Sequence, residues 1–203
     1  MKWFAKYRRN TYSQGGEDGY IDLILDVLDV QNGWCVDIGA WDGKAFSNIY
    51  AQIENRGFSA VMIEGDRERY EGLKKTAAKN DKIIPVCCEV TPDNADGLLK
   101  RCGSPRVLLN IDIDGGEAEI WRKCPPFLIA VIEWQDRGEK HPWPVLAAGE
   151  DLGYVPFAAT NANIIFLLRK SMQHLWDQMV MKIPGTRGWC KTMVFTPPGR
   201  ELI

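Results

Sequence analysis

Short apolar runs alternate with amphipathic stretches along most of the chain, and this alternation constrains the fold more than any other feature. The apolar runs predicted as strands are residues 34–40, 60–64, 82–90, 107–114, 128–134, 154–159 and 163–169. Helical patterns are predicted at 17–30, 47–55, 66–79, 94–101, 117–123 and 145–152. Strands that are apolar on both faces and separated by helices are typical of a parallel sheet covered on two sides.

The last two predicted strands are joined by only three residues, 160–162. A link this short favours antiparallel pairing, so a terminal hairpin should close the sheet. With 203 residues, the chain is predicted to form a single domain, 1–203. The tail, 171–203, begins with an amphipathic stretch and continues into Pro-Gly segments. We therefore expect a helix followed by a surface loop, and this loop could act as a lid.

The bulk composition is that of a soluble globular protein and excludes several classes. The formal net charge is -2, which gives no global attraction to nucleic acid. No apolar run approaches the roughly 18 residues of a membrane span, and the basic start lacks the apolar core of a secretory signal. The six cysteines form no C-x-x-C pair, so zinc binding is not indicated. We expect a cytoplasmic protein without membrane or nucleic-acid partners.

The first predicted strand runs into a glycine-containing turn that starts at Asp37 and holds Gly39, Trp41 and Gly43. A dinucleotide fingerprint would need further glycines at positions 41 and 44, which are absent. Asp37 and Asp42 would also repel a pyrophosphate, whereas the ammonium and sulfonium of S-adenosylmethionine would be attracted. The turn therefore favours that cofactor, with a purely structural turn as the alternative.

The second predicted strand ends in Glu64, about 20 residues after the glycine turn. In nucleoside-binding α/β folds an acid at this spacing accepts hydrogen bonds from the ribose hydroxyls. An unpartnered carboxylate after four apolar residues would cost several kcal/mol, which favours a ligand contact for Glu64. Asp66 follows, where helix capping and ligand contact are equally good interpretations.

The fourth predicted strand ends with Asp112 and Asp114, which alternate with isoleucines and so point to one face. Carboxylates in such a setting need a cation, a metal or a proton-transfer role. We expect both to be catalytic, either as bases or through bound Mg²⁺. Glu133, at the end of the fifth strand, would complete the metal site; a salt-bridged or capping set is the alternative.

Aromatic residues gather at the same predicted edge, namely Trp41, Trp134 and Trp143. A tryptophan face can bind a sulfonium or carry a sugar ring, although core packing explains any one of them equally well. The segment 13–18, before the first helix, would close over the cofactor. Gln14 and Asp18 are the candidate contacts there. His141 is a weaker candidate base.

Several blocks of the chain between residues 13 and 169 together resemble the FkbM-like group of class I S-adenosylmethionine-dependent methyltransferases. These blocks are SQGGEDGYIDLIL, CVDIGAWDGKAFSNIYAQIENRGFSAVMIEGD, LLNIDIDGGEAEIW and AVIEW. The resemblance implies an α/β fold with a doubly wound, mostly parallel seven-stranded sheet whose last strand is antiparallel. It also implies that Asp37, Gly39 and Gly43 hold the methionine part, that Glu64 binds ribose and that Asp112 lies near the methyl group.

Members of this group methylate hydroxyl oxygens, often on sugars or other small molecules, so the resemblance implies a small-molecule or saccharide acceptor. Two alternatives remain at the level of sequence. One is a nucleotide-dependent oxidoreductase on the same kind of sheet, and the other is a non-catalytic binding protein that keeps the fold.

Overall fold

The computed structural model describes residues 6–136 and 139–182. Its main sheet is built from β1 Trp34–Ile38, β2 Ser59–Glu64, β3 Ile83–Cys87, β4 Arg106–Ile111, β5 Ile129–Glu133, β6 Tyr154–Ala159 and β7 Asn163–Leu168. The helices are α1 Glu17–Val27, α2 Tyr50–Arg56, α3 Arg67–Ala77, α4 Ala95–Leu99, α5 Glu117–Trp121, α6 Trp143–Asp151 and α7 Arg169–Lys182. Two-residue strands, Gln135–Asp136 and Glu139–Lys140, pair separately from the main sheet.

The sheet has the strand order β3-β2-β1-β4-β5-β7-β6. All neighbours are parallel except β7, which runs antiparallel to both β5 and β6. The predicted doubly wound, seven-stranded sheet with an antiparallel last strand is therefore confirmed. Strands β1 to β3 form one half of the sheet and β4 to β7 form the other, so the two halves meet where β1 pairs with β4. This is the switch point, where ligands of such sheets bind.

Two apolar cores form, one on each face of the sheet. The first holds the buried side chains of α1, α2 and α7, with Leu73 of α3. The second holds those of α4, α5 and α6, around Trp121. Strand residues alternate between the two cores, so that Cys35 packs on one side and Val36 on the other. This explains why the strands are apolar on both faces.

Several predicted elements are shorter in the structure, and the differences bear on the site. The predicted strand 82–90 ends at Cys87 because the chain then leaves the sheet. The predicted helix 47–55 begins only at Tyr50, since the Ser47 hydroxyl accepts the backbone N–H of Ile49 and Tyr50 and holds the preceding turn. The predicted tail helix forms as α7, while the predicted surface loop and lid, 183–203, lie outside the described residues.

None of the helices in residues 6–136 and 139–182 is both long and apolar enough to cross a membrane. The five cysteines in this part of the chain are all free thiols.

Candidate active site

A cavity of about 1060 Å³ opens at the carboxyl ends of β1, β2, β3 and β4. Ligand pockets in proteins span roughly 300–1,000 Å³, so this cavity has room for a nucleoside and a second small molecule. Its walls come from the loops that follow these strands. The lining residues are Gln14, residues 37–41, residues 45–47, residues 63–66, Arg69, residues 88–92, Asn110, residues 112–116, Glu119 and Ile120.

At the end of β1, Asp37 is buried but reaches the cavity wall. Its carboxylate accepts hydrogen bonds from the Asn110 amide, at 2.7 Å, and from the Ser47 hydroxyl, at 3.2 Å. Asn110 in turn accepts from the Asn48 amide at 2.9 Å. Burial raises the pKa of Asp37 to about 6, and the hydrogen bond from Asn110 offsets part of that shift. This network joins β1 and β4 to the turn before α2.

The glycine turn after β1 depends on close backbone approach. Gly39 has a φ of 85°, and a Cβ at this position would lie 1.8 Å from the carbonyl oxygen of Asp112. Gly39 and Trp41 line the cavity as predicted. Gly43 does not, because its Cα faces Leu73 and Met62 in the core instead. The prediction that Gly43 contacts the cofactor is therefore replaced by a packing role.

Glu64 lies at the end of β2 with its carboxylate at the cavity wall. One oxygen accepts the backbone N–H of Trp41 and the other accepts that of Asp66, each at 2.8 Å. Glu64 thus holds both the glycine turn and the start of α3 while keeping lone pairs for a ligand. Asp66 caps α3 by accepting from the backbone N–H of Arg69, and it also lines the cavity. The capping interpretation of Asp66 is therefore confirmed, and its contact with a ligand stays a prediction.

Asp112 follows β4 and lines the cavity, whereas Glu133, at the end of β5, does not. Their carboxyl groups are hydrogen-bonded to each other, which requires one of them to carry a proton. Burial, together with the nearby charge of Asp112, raises the pKa of Glu133 to about 9, so the pair holds one proton between its two carboxyl groups. Burial also raises the pKa of Asp112.

The expected Mg²⁺ site of Asp112, Asp114 and Glu133 does not form. Within residues 6–136 and 139–182, no three His, Cys, Asp or Glu side chains are grouped so that they could hold a metal ion. The physical reason is that Asp114 does not join Asp112 and Glu133 with its side chain. Asp114 is exposed, adopts a φ of 61° and contacts Glu133 only through its backbone N–H, at 3.3 Å.

The segment before α1 contributes one of its two predicted contacts. Gln14 lines the cavity. Asp18 is fully buried away from the cavity, and one of its oxygens accepts the backbone N–H groups of Thr11, Tyr12 and Ser13 at 2.7 to 2.9 Å. Asp18 therefore fixes the segment that carries Gln14 and does not touch a ligand itself, which corrects the prediction.

Of the three predicted tryptophans, Trp41 alone lines the cavity, with 46% of its surface exposed. The guanidinium of Arg69 lies over its ring, 3.9 Å from the centroid. Trp134 is half-buried against the second core, and Trp143 begins α6. Tertiary packing decides which of the three tryptophans lines the cavity, and the sequence pattern does not reveal that packing.

Sequence reasoning missed several lining residues. Phe46 is 60% exposed on the wall, and Glu119 reaches it from α5. Residues 88–92 form the wall after β3, although residues 88–90 were predicted to continue that strand. The signal that could have found them is the polar Glu89 and Thr91 at the carboxyl end of a strand, where the ligands of such sheets bind.

No protein-family model and no curated protein sequence matches the chain. Among solved structures, a Streptococcus pneumoniae protein provisionally assigned as a tRNA (m1A22) methyltransferase aligns with 14% identity and a TM-score of 0.48, covering 73% of this chain and 69% of its own. TrmK of M. capricolum, solved with S-adenosyl-homocysteine, has 9% identity and a TM-score of 0.44, covering 71% and 65%. The C-terminal domain of Rhodobacter capsulatus precorrin-6Y C5,15-methyltransferase has 15% identity and a TM-score of 0.47, covering 80% and 93%. At these values the likeness adds nothing to what the sheet and cavity of this chain show.

Proposed function

We propose that this chain binds S-adenosylmethionine and transfers its methyl group to a hydroxyl oxygen of a small molecule. The observation that carries the proposal is the charge of the cavity at the switch point. Seven carboxylates line it, against one guanidinium, that of Arg69; the acids are Asp37, Glu64, Asp66, Glu89, Asp112, Asp114 and Glu119. Such a wall attracts a cationic nucleoside and repels a pyrophosphate.

The cofactor would be held by side chains from adjacent strands. Asp37 would pair with its ammonium group, and the lone pairs of Glu64 that remain would accept from the ribose hydroxyls. The adenine, joined to that ribose, would then lie between Gly65 and residues 88–91, which border Glu64 on the same wall. Gly39 would let the methionine part approach the backbone closely, since it carries no side chain.

Bound S-adenosylmethionine supplies an electrophilic methyl group on its sulfonium. The cavity walls align the acceptor with it, and such positioning can supply on the order of 7–11 kcal/mol. Asp112 accepts the proton of the acceptor hydroxyl. Glu133 remains protonated and orients the Asp112 carboxylate through the hydrogen bond between them. The raised pKa of Asp112 brings this base closer to the operating pH, where general bases work best.

The two alternatives from the sequence are less favoured. A nucleotide-dependent oxidoreductase would place a pyrophosphate at the glycine turn, close to Asp37, with Arg69 as the lone cation on the described wall. A non-catalytic binding protein leaves the buried carboxyl pair of Asp112 and Glu133 without a role. Membership of the FkbM-like group rests on the sequence blocks alone, because no family model matches.

Calorimetric titration of the whole chain with S-adenosylhomocysteine and with NAD tests the cofactor assignment. We expect micromolar binding of the first and none of the second. A ligand at 100 times its Kd should stabilise the fold by about 2.7 kcal/mol. The variant Glu64→Ala should lose this binding, while Glu150→Gln, an exposed change far in sequence from the cavity residues, should keep it. Tighter binding of NAD, or no binding of S-adenosylhomocysteine, would refute the proposal.

Transfer itself is tested with labelled S-adenosylmethionine and pooled small-molecule acceptors. Label that appears on an acceptor oxygen supports a methyltransferase. Binding of the cofactor without any transfer, over pools that contain neutral, cationic and anionic hydroxyl compounds, would favour the binding-protein alternative.

A further inference from the structure

The acidic residues that line the cavity lack basic partners among the described residues. Six acids elsewhere in the described chain do form ion pairs with lysine or arginine, namely Asp22, Asp26, Glu54, Glu71, Asp96 and Asp151. None of the seven cavity acids forms an ion pair with a described lysine or arginine, and Arg69 lies flat on the Trp41 ring. The cavity therefore keeps an excess of negative charge.

The proposed cofactor removes only part of that excess. Its sulfonium and ammonium carry two positive charges and its carboxylate carries one negative charge, so it brings a single net positive charge. The roles proposed above assign Asp37 and Glu64 to the cofactor. Asp114, on the loop after β4, and Glu119, on α5, are exposed and line the same wall as Asp112. The cofactor roles leave the negative charges of these two residues without a partner.

An apolar surface lies in the same cavity. Three large hydrophobic side chains are exposed in the described chain, and two of them, Trp41 and Phe46, line this wall. Phe46 has a φ of 62°, a conformation that costs a non-glycine residue free energy. Phe46 is also the more exposed of the two, and Arg69 does not cover it as it covers Trp41. Exposed aromatic surface in a cavity marks a place where a ligand packs.

We infer that the acceptor is a small molecule that carries a protonated amine, with its ammonium group toward Asp114 and Glu119 and its apolar or planar face on Phe46. This inference rests on the proposed function and adds the class of acceptor. In the reaction the sulfur–methyl bond breaks and an oxygen–methyl bond forms at a hydroxyl of the same molecule, while the hydroxyl proton goes to Asp112. A nucleic acid, with a phosphate at every residue, is the disfavoured acceptor.

Three probes of one shape and different charge test this assignment. Tyramine is the cation, tyrosol the neutral analogue and 4-hydroxyphenylacetate the anion. Their binding to the full chain is measured by NMR titration after saturation with S-adenosylhomocysteine. We expect tyramine to bind roughly ten-fold more tightly than tyrosol, equivalent to about 1.4 kcal/mol, and the anion to bind most weakly. Tyrosol that matches tyramine, or tyramine that does not bind at millimolar concentration, would overturn the inference.

Two variants separate a local effect from general charge. Asp114→Asn keeps the left-handed backbone, since asparagine tolerates it, and removes only the charge. Glu119→Gln does the same on α5. Each should weaken tyramine about three-fold or more and leave tyrosol unchanged, whereas Glu150→Gln should change neither. An unchanged affinity of tyramine in both variants would contradict the inference, as would tighter binding of an oligoribonucleotide than of tyramine.

The same experiment tests the proposed function first, at the step where the chain is saturated with S-adenosylhomocysteine. If S-adenosylhomocysteine does not bind, the cofactor assignment is wrong. If it binds and the order of the three probes is reversed, only the acceptor class is wrong.

Discussion

The backbone carbonyl of Asp112 occupies the space where a side chain of Gly39 would lie. A Cβ on Gly39 would be 1.8 Å from that carbonyl oxygen. This contact sets the end of β1 directly against the end of β4. It therefore fixes the distance between Asp112, the proposed base, and the turn proposed to hold the cofactor. Any side chain at position 39 must push the two strand ends apart.

The variant Gly39→Ala should therefore lower the free energy of unfolding by roughly 2–4 kcal/mol, because it adds left-handed strain to a backbone clash. It should also abolish binding of S-adenosylhomocysteine. Urea denaturation measures the first effect and calorimetry the second. Gly97→Ala is the matched control: Gly97 lies in α4 with open space around its Cα, so alanine should be neutral or stabilise the helix. Equal stability of the two variants would show that the strand ends can move.

The buried carboxylate of Asp37 should make stability depend on pH. Its pKa is raised to about 6 from an ordinary 3.8, so the folded state favours the protonated form. This contribution to stability is fully present below about pH 4 and is lost as the pH rises through about 6. The difference amounts to about 3 kcal/mol at most.

Asp37→Asn should therefore be more stable than the wild type at pH 8 and similar to it at pH 4, while it binds S-adenosylhomocysteine at least ten-fold more weakly. Thermal melts across this range, with exposed Asp93→Asn as the control, measure the effect. A variant that is equally destabilised at both pH values would mean that the hydrogen bonds of Asp37 outweigh its desolvation.

Substitutions of the two candidate bases, Asp112 and Asp114, should change different kinetic constants. Asp112→Asn removes the proton acceptor and should lower kcat by about 10²–10⁴-fold, with cofactor affinity within a few-fold of wild type. Asp114→Asn should act mainly on KM for the acceptor, since Asp114 makes no hydrogen bond to Asp112 or Glu133 through its side chain. Rates of S-adenosylhomocysteine release with an acceptor from the charge-sorted pools give both values. A wild-type kcat in Asp112→Asn would remove Asp112 from the mechanism.

Asp18→Ala should release the segment that carries Gln14. Three backbone N–H groups and the Ser13 hydroxyl lose their acceptor, for a cost of about 2–4 kcal/mol. Hydrogen exchange at Thr11, Tyr12 and Ser13 should rise in the variant. Rapid exchange of these three amides already in the wild type would contradict the role assigned to Asp18.

The fold was predictable from the sequence to a large extent because periodicity reports burial directly. The run Ala60–Glu64 is apolar on both faces, and in the structure it is the second strand of the sheet. Candidate site residues at the strand ends, such as Glu64 and Asp112, were predicted because a carboxylate among apolar residues needs a partner or a role. The same logic failed for Asp18, whose partners are backbone groups that no pattern of side chains reveals.

Loop residues were predictable only in part. Phe46 and Glu119 reach the cavity because the chain bends after β1 and after β4, and an exposed aromatic residue looks the same in sequence whether it lines a wall or not. Gly43 was misassigned for a related reason: a glycine without a Cβ permits the close approach of a ligand and, equally, the close packing of Leu73 that the structure has.

The cavity wall differs in burial from one end to the other. Asp37 and Glu64 are only 1% and 6% exposed, whereas Asp114 and Glu119 are exposed to solvent. Asp37 accepts from the side chains of Asn110 and Ser47, and Glu64 accepts two backbone N–H groups. Mutations at the first pair change hydrogen bonds that hold the site together, while mutations at the second pair cost little stability. Evolution, or an engineer, can therefore exchange the recognition surface for new substrates while the nucleoside-binding frame stays as it is.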